Sequence, residues 1–169
     1  MKKALVALTV LAGAFSGAQA GIILSDNFIY SGGTVSNGVL TTISGGTWYS
    51  HSGAGNVPIQ VVNGRARITS GSGSREDDSL DMAGAPYATN SGVVLYSSYT
   101  LIVSNTAGID AVGAYITHFK NVATGSSFHG RVFLSTSNYT AATTADPGTY
   151  LIGIGNGSLA NAGSGQLTN

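Results

Sequence analysis

From residue 21 onward, apolar residues come in short runs separated by Gly, Ser, Asn and Thr. Runs of that length, bounded by turn residues, predict strands joined by turns. A first strand is expected over residues 22–30, with Phe28 and Tyr30 on one face, and a weak second over 38–43. The clearest local signal is the run 58–62, then Asn63-Gly64, then the run 65–69. Asn-Gly between two such runs favours a type I′ hairpin, because both central residues need positive φ. Residues 92–104 carry Val, Leu, Tyr, Thr and Ile throughout and read as a long central strand. Two more are expected over 111–120 and 127–135, with a turn near Thr124-Gly125-Ser126, and a last over 149–154. Nothing after residue 20 sustains the 3.6-residue apolar period of a helix. The β-branched and aromatic residues suit a pleated, half-buried surface. The pattern therefore predicts an all-β domain, a two-sheet antiparallel β-sandwich or jelly roll.

Each end of the chain carries its own signal. Lys2 and Lys3 precede an apolar stretch over residues 4–15, and Ala18-Gln19-Ala20 follows. That layout is a secretory signal peptide over residues 1–20, with a bacterial look and cleavage expected after Ala20. The apolar stretch is short for a bilayer, and no other segment approaches the length a span needs. The expected location is secreted or cell-surface. Residues 21–169 then form the β-sandwich domain. Its glycine-rich stretch 153–165 runs into Gln166-Leu167-Thr168-Asn169 with no closing strand. A jelly roll without its last strands has an open edge, so the domain is expected to be incomplete at its C-terminus.

Composition narrows the function classes. Of 169 residues only 8% are charged, 25 are Gly, 21 Ser and 17 Thr, and none is Cys. Average domains carry about 25% charged residues. So few Lys and Arg cannot build a basic face, which argues against nucleic acid as a partner. The absence of Cys removes disulfides, thiolate metal sites and cysteine catalysis. Without the leader, five basic and seven acidic residues remain.

Four of those acids lie together in Arg75-Glu76-Asp77-Asp78-Ser79-Leu80-Asp81. A hard cation such as calcium takes 6–8 oxygen ligands, which makes Asp77, Asp78 and Asp81 candidate ligands. The competing reading is a solvated loop with Arg75 paired to a carboxylate. Glycoside hydrolysis needs two positioned carboxylates. The chain has a single Glu; Glu76 and Asp78 alternate and would share a strand face, yet the Glu-x-Asp-x-x-Glu pattern of jelly-roll glucanases is absent. No Gly-x-Ser-x-Gly elbow is present, and no zinc spacing links His51, His118 and His129. No catalytic residues are assigned, and the chain reads as a non-enzyme.

The binding candidates are aromatic and basic. Trp48 and Tyr49 lie in the one Trp-bearing stretch, where they would stack on sugar rings; the competing reading places the Trp in the core. On the strand expected over 127–135, Phe128, Val132 and Leu134 would face inward. His129, Arg131 and Phe133 would then form an outward row suited to a polar ligand.

The set of stretches Asp26-Asn27-Phe28-Ile29-Tyr30, Trp48-Tyr49-Ser50-His51-Ser52-Gly53, Ile59-Gln60-Val61-Val62-Asn63-Gly64 and Arg75-Glu76-Asp77 resembles an N-terminal module of secreted bacterial multidomain proteins. Val94-Leu95-Tyr96-Ser97-Ser98-Tyr99, Tyr115-Ile116-Thr117-His118-Phe119, Arg131-Val132-Phe133 and Pro147-Gly148-Thr149-Tyr150-Leu151-Ile152-Gly153-Ile154 fit the same pattern. The module is similar to concanavalin A-like, laminin-G-like jelly rolls. The resemblance implies a longer pattern with further domains, and a rim that binds glycans or proteins, sometimes with calcium. It brings no catalytic residues, and fold alone does not fix function. The expected function is a secreted, non-catalytic module that binds a polysaccharide or surface glycan. Alternatives are a structural or adhesive sandwich whose partner is a surface protein, and an accessory domain of a secreted hydrolase.

Overall fold

The computed structural model describes residues 21–30, 32–33, 36–70, 73–88, 90–109, 113–121, 127–136, 145 and 147–155. The expected signal peptide over 1–20, the turn expected near 124–126 and the chain beyond 155 lie outside the described residues. Among these residues the chain is all-β, with three antiparallel sheets and one helical turn. No helix among them is long and apolar enough to cross a membrane.

The first sheet has the order β1 (Gly38–Val39), β3 (Gln60–Val61), β4 (Ala66–Arg67). The hairpin between β3 and β4 forms as the Asn-Gly signal predicts. Asn63 has φ 52° and Gly64 has φ 68°, and Val62 and Arg65 exchange backbone hydrogen bonds of 2.9 and 3.2 Å. The expected strand over 38–43 stops after two residues and becomes α1 (Leu40–Ile43). Leu40 N–H still reaches the Ile59 carbonyl, but the Leu40 carbonyl accepts from Ser44 and closes a helical turn. Gly45 and Gly46, both at positive φ, end that turn. Leu40 and Val61, each at most 1% exposed, form the core of this unit.

The second sheet pairs β2 (Tyr49–Ser52) with β5 (Asp77–Ser79). The register shifts between Ser50 and Ser52, so His51 is the extra residue of a bulge. Gly53 follows at φ 61°, and a Cβ there would overlap the Arg75 carbonyl. Only glycine allows the two backbones to approach so closely.

The third sheet has the order β6 (Ala114–Lys120), β7 (Phe128–Ser135), β8 (Leu151–Gly155). These match the expected strands over 111–120, 127–135 and 149–154 within a few residues. β7 is the middle strand, covered on both faces over its second half: Arg131, Phe133, Leu134 and Ser135 are all buried. Gly130 at φ 55° lies where the β6–β7 register shifts between Thr117 and Phe119. Phe133 packs edge-on to Tyr115 at 6.3 Å between centroids and lies over Gly155.

Two expected strands do not form. In residues 22–30 the side chains of Asp26 and Asn27 take the backbone N–H groups of Phe28 and Ile29, at 2.6 and 3.2 Å. Such local bonds compete with a sheet ladder, and Phe28 turns to φ 57°. Residues 92–104 form no strand either. They pair with none of the described strands.

Candidate functional site

β5 organises the site because its alternate side chains serve opposite faces. Asp77 and Ser79 point one way, toward β2 and β6; Glu76 and Asp78 point the other.

On the first face, Asp77 Oδ2 accepts from Ser52 Oγ at 2.5 Å and from Tyr115 Oη at 2.9 Å. Both hydroxyls converge on one oxygen and leave Oδ1 with no partner among the described residues. Burial, reinforced by the Asp77 charge, pushes the Tyr115 hydroxyl up to about 12, so it stays a donor at neutral pH. Asp77, Ser52 and Tyr115 line a half-open cleft of about 590 Å³ that also takes in Thr69, Ser70 and Arg75. Arg75 is held over it by bonds from Nε to the Thr69 carbonyl (3.0 Å) and from Nη1 to the Gly73 carbonyl (2.9 Å). Its other terminal nitrogen bonds none of the described residues. The expected Arg75–carboxylate pair is thus replaced by backbone tethers.

Behind the cleft sits a stack of rings. Ser79 Oγ and His51 Nδ1 share a hydrogen bond of 2.8 Å. His51 meets His118 edge-on at 5.7 Å, and His118 in turn meets Tyr115 at 5.3 Å and Phe128 at 4.8 Å. The Arg131 guanidinium lies 3.9 Å from the centre of Phe128 and 4.9 Å from that of Tyr115, the geometry of a cation–π stack. Burial and then the neighbouring His51 hold His118 down at about 4; Asp77 pulls the other way, and the cations Arg131 and Lys120 add smaller downward pushes. Burial likewise lowers His51. Both imidazoles are therefore neutral around pH 7.

On the opposite face, Glu76 is 7% exposed and accepts from the Gly55 N–H. Asp78 carries two buried carboxyl oxygens with no hydrogen-bond partner among the described residues, and burial, then the neighbouring Glu76 charge, pushes it up to about 7. Two buried carboxyls side by side hold a proton between them more readily than two charges. The alternation of Glu76 and Asp78 predicted this shared face.

The remaining expected site residues are dispersed. Trp48 is half-buried: its Nε1–H donates to Asp26 Oδ2 at 2.6 Å, and its ring lies 6.1 Å from Phe28. Asp26 also accepts from Tyr30 Oη, so Trp48 ties down the N-terminal segment. Tyr49 Oη donates to Asp81 Oδ1 at 2.7 Å. The outward row of His129, Arg131 and Phe133 does not form. His129 is exposed, but Arg131 and Phe133 are 2% and 1% exposed, because the rings of Tyr115 and Phe128 cover Arg131, and Phe133 packs against Tyr115 and Gly155. The three aspartates considered for calcium part company: Asp77 holds two hydroxyls, Asp78 pairs with Glu76 and Asp81 takes Tyr49. Among the described residues no group of three or more metal-ligating side chains is assembled. Ser52, Arg75 and Tyr115 were not expected at the site. The bulge at His51, which brings Ser52 opposite Asp77, has no signal in the sequence.

Comparison with protein-family models, curated proteins and solved structures gives no significant match.

Proposed function

We propose that the chain is a secreted, non-catalytic recognition module that binds a polysaccharide or surface glycan, and that the Asp77 cleft is its binding site. The observation that carries this reading is one half-open cleft holding both a carboxylate with an oxygen to spare and a guanidinium with a nitrogen to spare. Vicinal sugar hydroxyls donate and accept at once, so such a pair suits them. Ser52 and Tyr115 fix the carboxylate before any ligand arrives, and Thr69 and Gly73 fix the guanidinium. Preorganisation of this kind reduces the ordering cost of binding. The cleft volume falls within the range of small-ligand sites, roughly 300–1,000 Å³, and its open side leaves room for a polymer to continue. The scaffold in this reading is a concanavalin A-like, laminin-G-like jelly roll, with β6–β7–β8 as part of one layer. The three antiparallel sheets and near-absence of helix are compatible with it. The Lys2-Lys3 start, the apolar stretch and Ala18-Gln19-Ala20 support delivery outside the cytoplasm.

The test is retention on immobilised polysaccharides. A subset is expected to retard the wild-type protein. Asp77→Asn, which keeps the shape but removes the charge, is expected to lose that retention, and Trp48→Phe to keep it. Elution of the wild type at the void volume from every polysaccharide, or equal retention of Asp77→Asn, refutes the reading.

A further inference from the structure

Arg75 and Asp77 are opposite charges that share one cleft and do not meet. Among the described residues that line it, they alone are charged. Each is held by other groups: the Thr69 and Gly73 carbonyls take two nitrogens of Arg75, and the Ser52 and Tyr115 hydroxyls take one oxygen of Asp77. Among the described residues no ion pair joins the two. The cations that Asp77 faces on the ring-stack side, Lys120 and Arg131, do not line the cleft. The cleft therefore carries a fixed dipole with no net charge, a pole of donors at Arg75 and a pole of acceptors at Asp77.

We infer that the unit recognised in this cleft is zwitterionic: a saccharide with a carboxylate against Arg75 and a free, protonated amine against Asp77. This inference rests on the glycan reading above and narrows it. Hydroxyls serve both poles, but hydrogen bonds to an ionised partner are roughly twice as strong as neutral ones. A purely acidic sugar chain brings its own negative charge against Asp77, and a purely basic one brings its positive charge against Arg75. Like charges facing each other suppress a wrong partner. A neutral chain leaves both poles without a counter-charge. A unit with one charge of each sign answers both poles and meets no like charge. Ile68, 46% exposed, and Ile116 line the same cleft. They offer an apolar wall to the C–H face of a sugar ring, which a bare amino acid does not use.

The test is isothermal titration calorimetry with a matched set of tetrasaccharides at about pH 6, where amines are protonated and carboxylates ionised. N-deacetylated hyaluronan carries both charges, hyaluronan the acid alone, chitosan the amine alone and chitin neither. The zwitterion is expected to bind at least ~10-fold tighter than any of the other three, the worth of one charge-assisted hydrogen bond. Asp77→Asn is expected to erase the preference for the free amine and keep that for the acid; Arg75→Gln is expected to do the reverse. A variant that merely loosens the fold would weaken all four probes alike. Should either variant lose the native circular dichroism, the wild-type ranking of the four probes decides. Equal binding of all four, or tightest binding of a probe with one charge or none, overturns the inference and leaves glycan recognition standing. So does failure to bind the zwitterion when a polysaccharide column retains the protein. Free glycine binding as tightly as the zwitterionic tetrasaccharide also overturns it, because the recognised unit would then be no saccharide. Elution at the void volume from every polysaccharide refutes the glycan reading and this inference with it.

Discussion

Replacing Asp78 by Asn should flatten one limb of the pH–stability profile. Asp78 rises from its ordinary 3.8 to about 7 in the folded protein, because it is buried against Glu76 with Asp77 adding to the repulsion. Both carboxyl oxygens are shielded from solvent and have no hydrogen-bond partner among the described residues. The folded state thus binds this proton more tightly than the unfolded chain between about pH 4 and pH 7. By linkage, the group's contribution to stability is fully present at the acid end, is lost as pH rises across that window and is constant above it. Three pH units at 1.36 kcal/mol each set a ceiling of about 4 kcal/mol. The residue as a whole is only half-buried, and solvent screening reduces that to about 2 kcal/mol. Asn keeps the shape of the side chain and cannot ionise. Urea unfolding of wild type and Asp78→Asn from about pH 4 to pH 8 should therefore show a stability difference that grows by ~2 kcal/mol in favour of the variant. The histidines titrate in both proteins and cancel in the difference. A difference that stays constant with pH, or that shrinks, refutes the shared-proton reading of the pair.

His118→Phe keeps the ring stack but removes a base held down at about 4. Because protonation then favours the unfolded chain, wild-type stability falls as pH drops from about 6.5 to about 4. The variant should gain on the wild type over that window, as read by thermal melting at several pH values. Gly53→Ala places a Cβ against the Arg75 carbonyl at φ 61°, so it should cost at least ~2 kcal/mol, measured by urea unfolding at neutral pH. Phe133→Ala empties a site 1% exposed between Tyr115 and Gly155 and should cost about 3–5 kcal/mol; a loss under ~1 kcal/mol would show that β7 is not the centre of its sheet.

The parts of the fold that were legible rest on local chemistry. Asn63-Gly64 specifies positive φ twice in succession, and no tertiary partner is needed to place that turn. The runs that became β6, β7 and β8 carry their own β-branched and aromatic residues. The failures have distinct causes. In residues 22–30, Asp26 and Asn27 divert the backbone into side-chain bonds. In 38–43, paired glycines at 45 and 46 let a helical turn close. In 92–104 the alternation is present but the neighbour is not, and a strand exists only by pairing. The site was legible in one respect: alternation joined Glu76 to Asp78 on one strand face, whereas Asp77 and Asp78, read together as cation ligands, turn to opposite faces of β5. The outward row on β7 failed because side chains cover that face: Tyr115 and Phe128 stack on Arg131, and Phe133 packs against Tyr115. Burial of Arg131 depends on the rings of Tyr115 and Phe128, one on its own strand and one across the ladder, which spacing does not reveal.

The most direct test of glycan recognition at the Asp77 cleft is backbone amide chemical-shift mapping with a soluble fragment of a retained polysaccharide. The account predicts saturable shifts at Ser52, Thr69, Arg75, Asp77 and Tyr115, with Trp48, Tyr49 and His129 unmoved. Shifts centred on Trp48 and Tyr49, or none at saturating fragment, would contradict it.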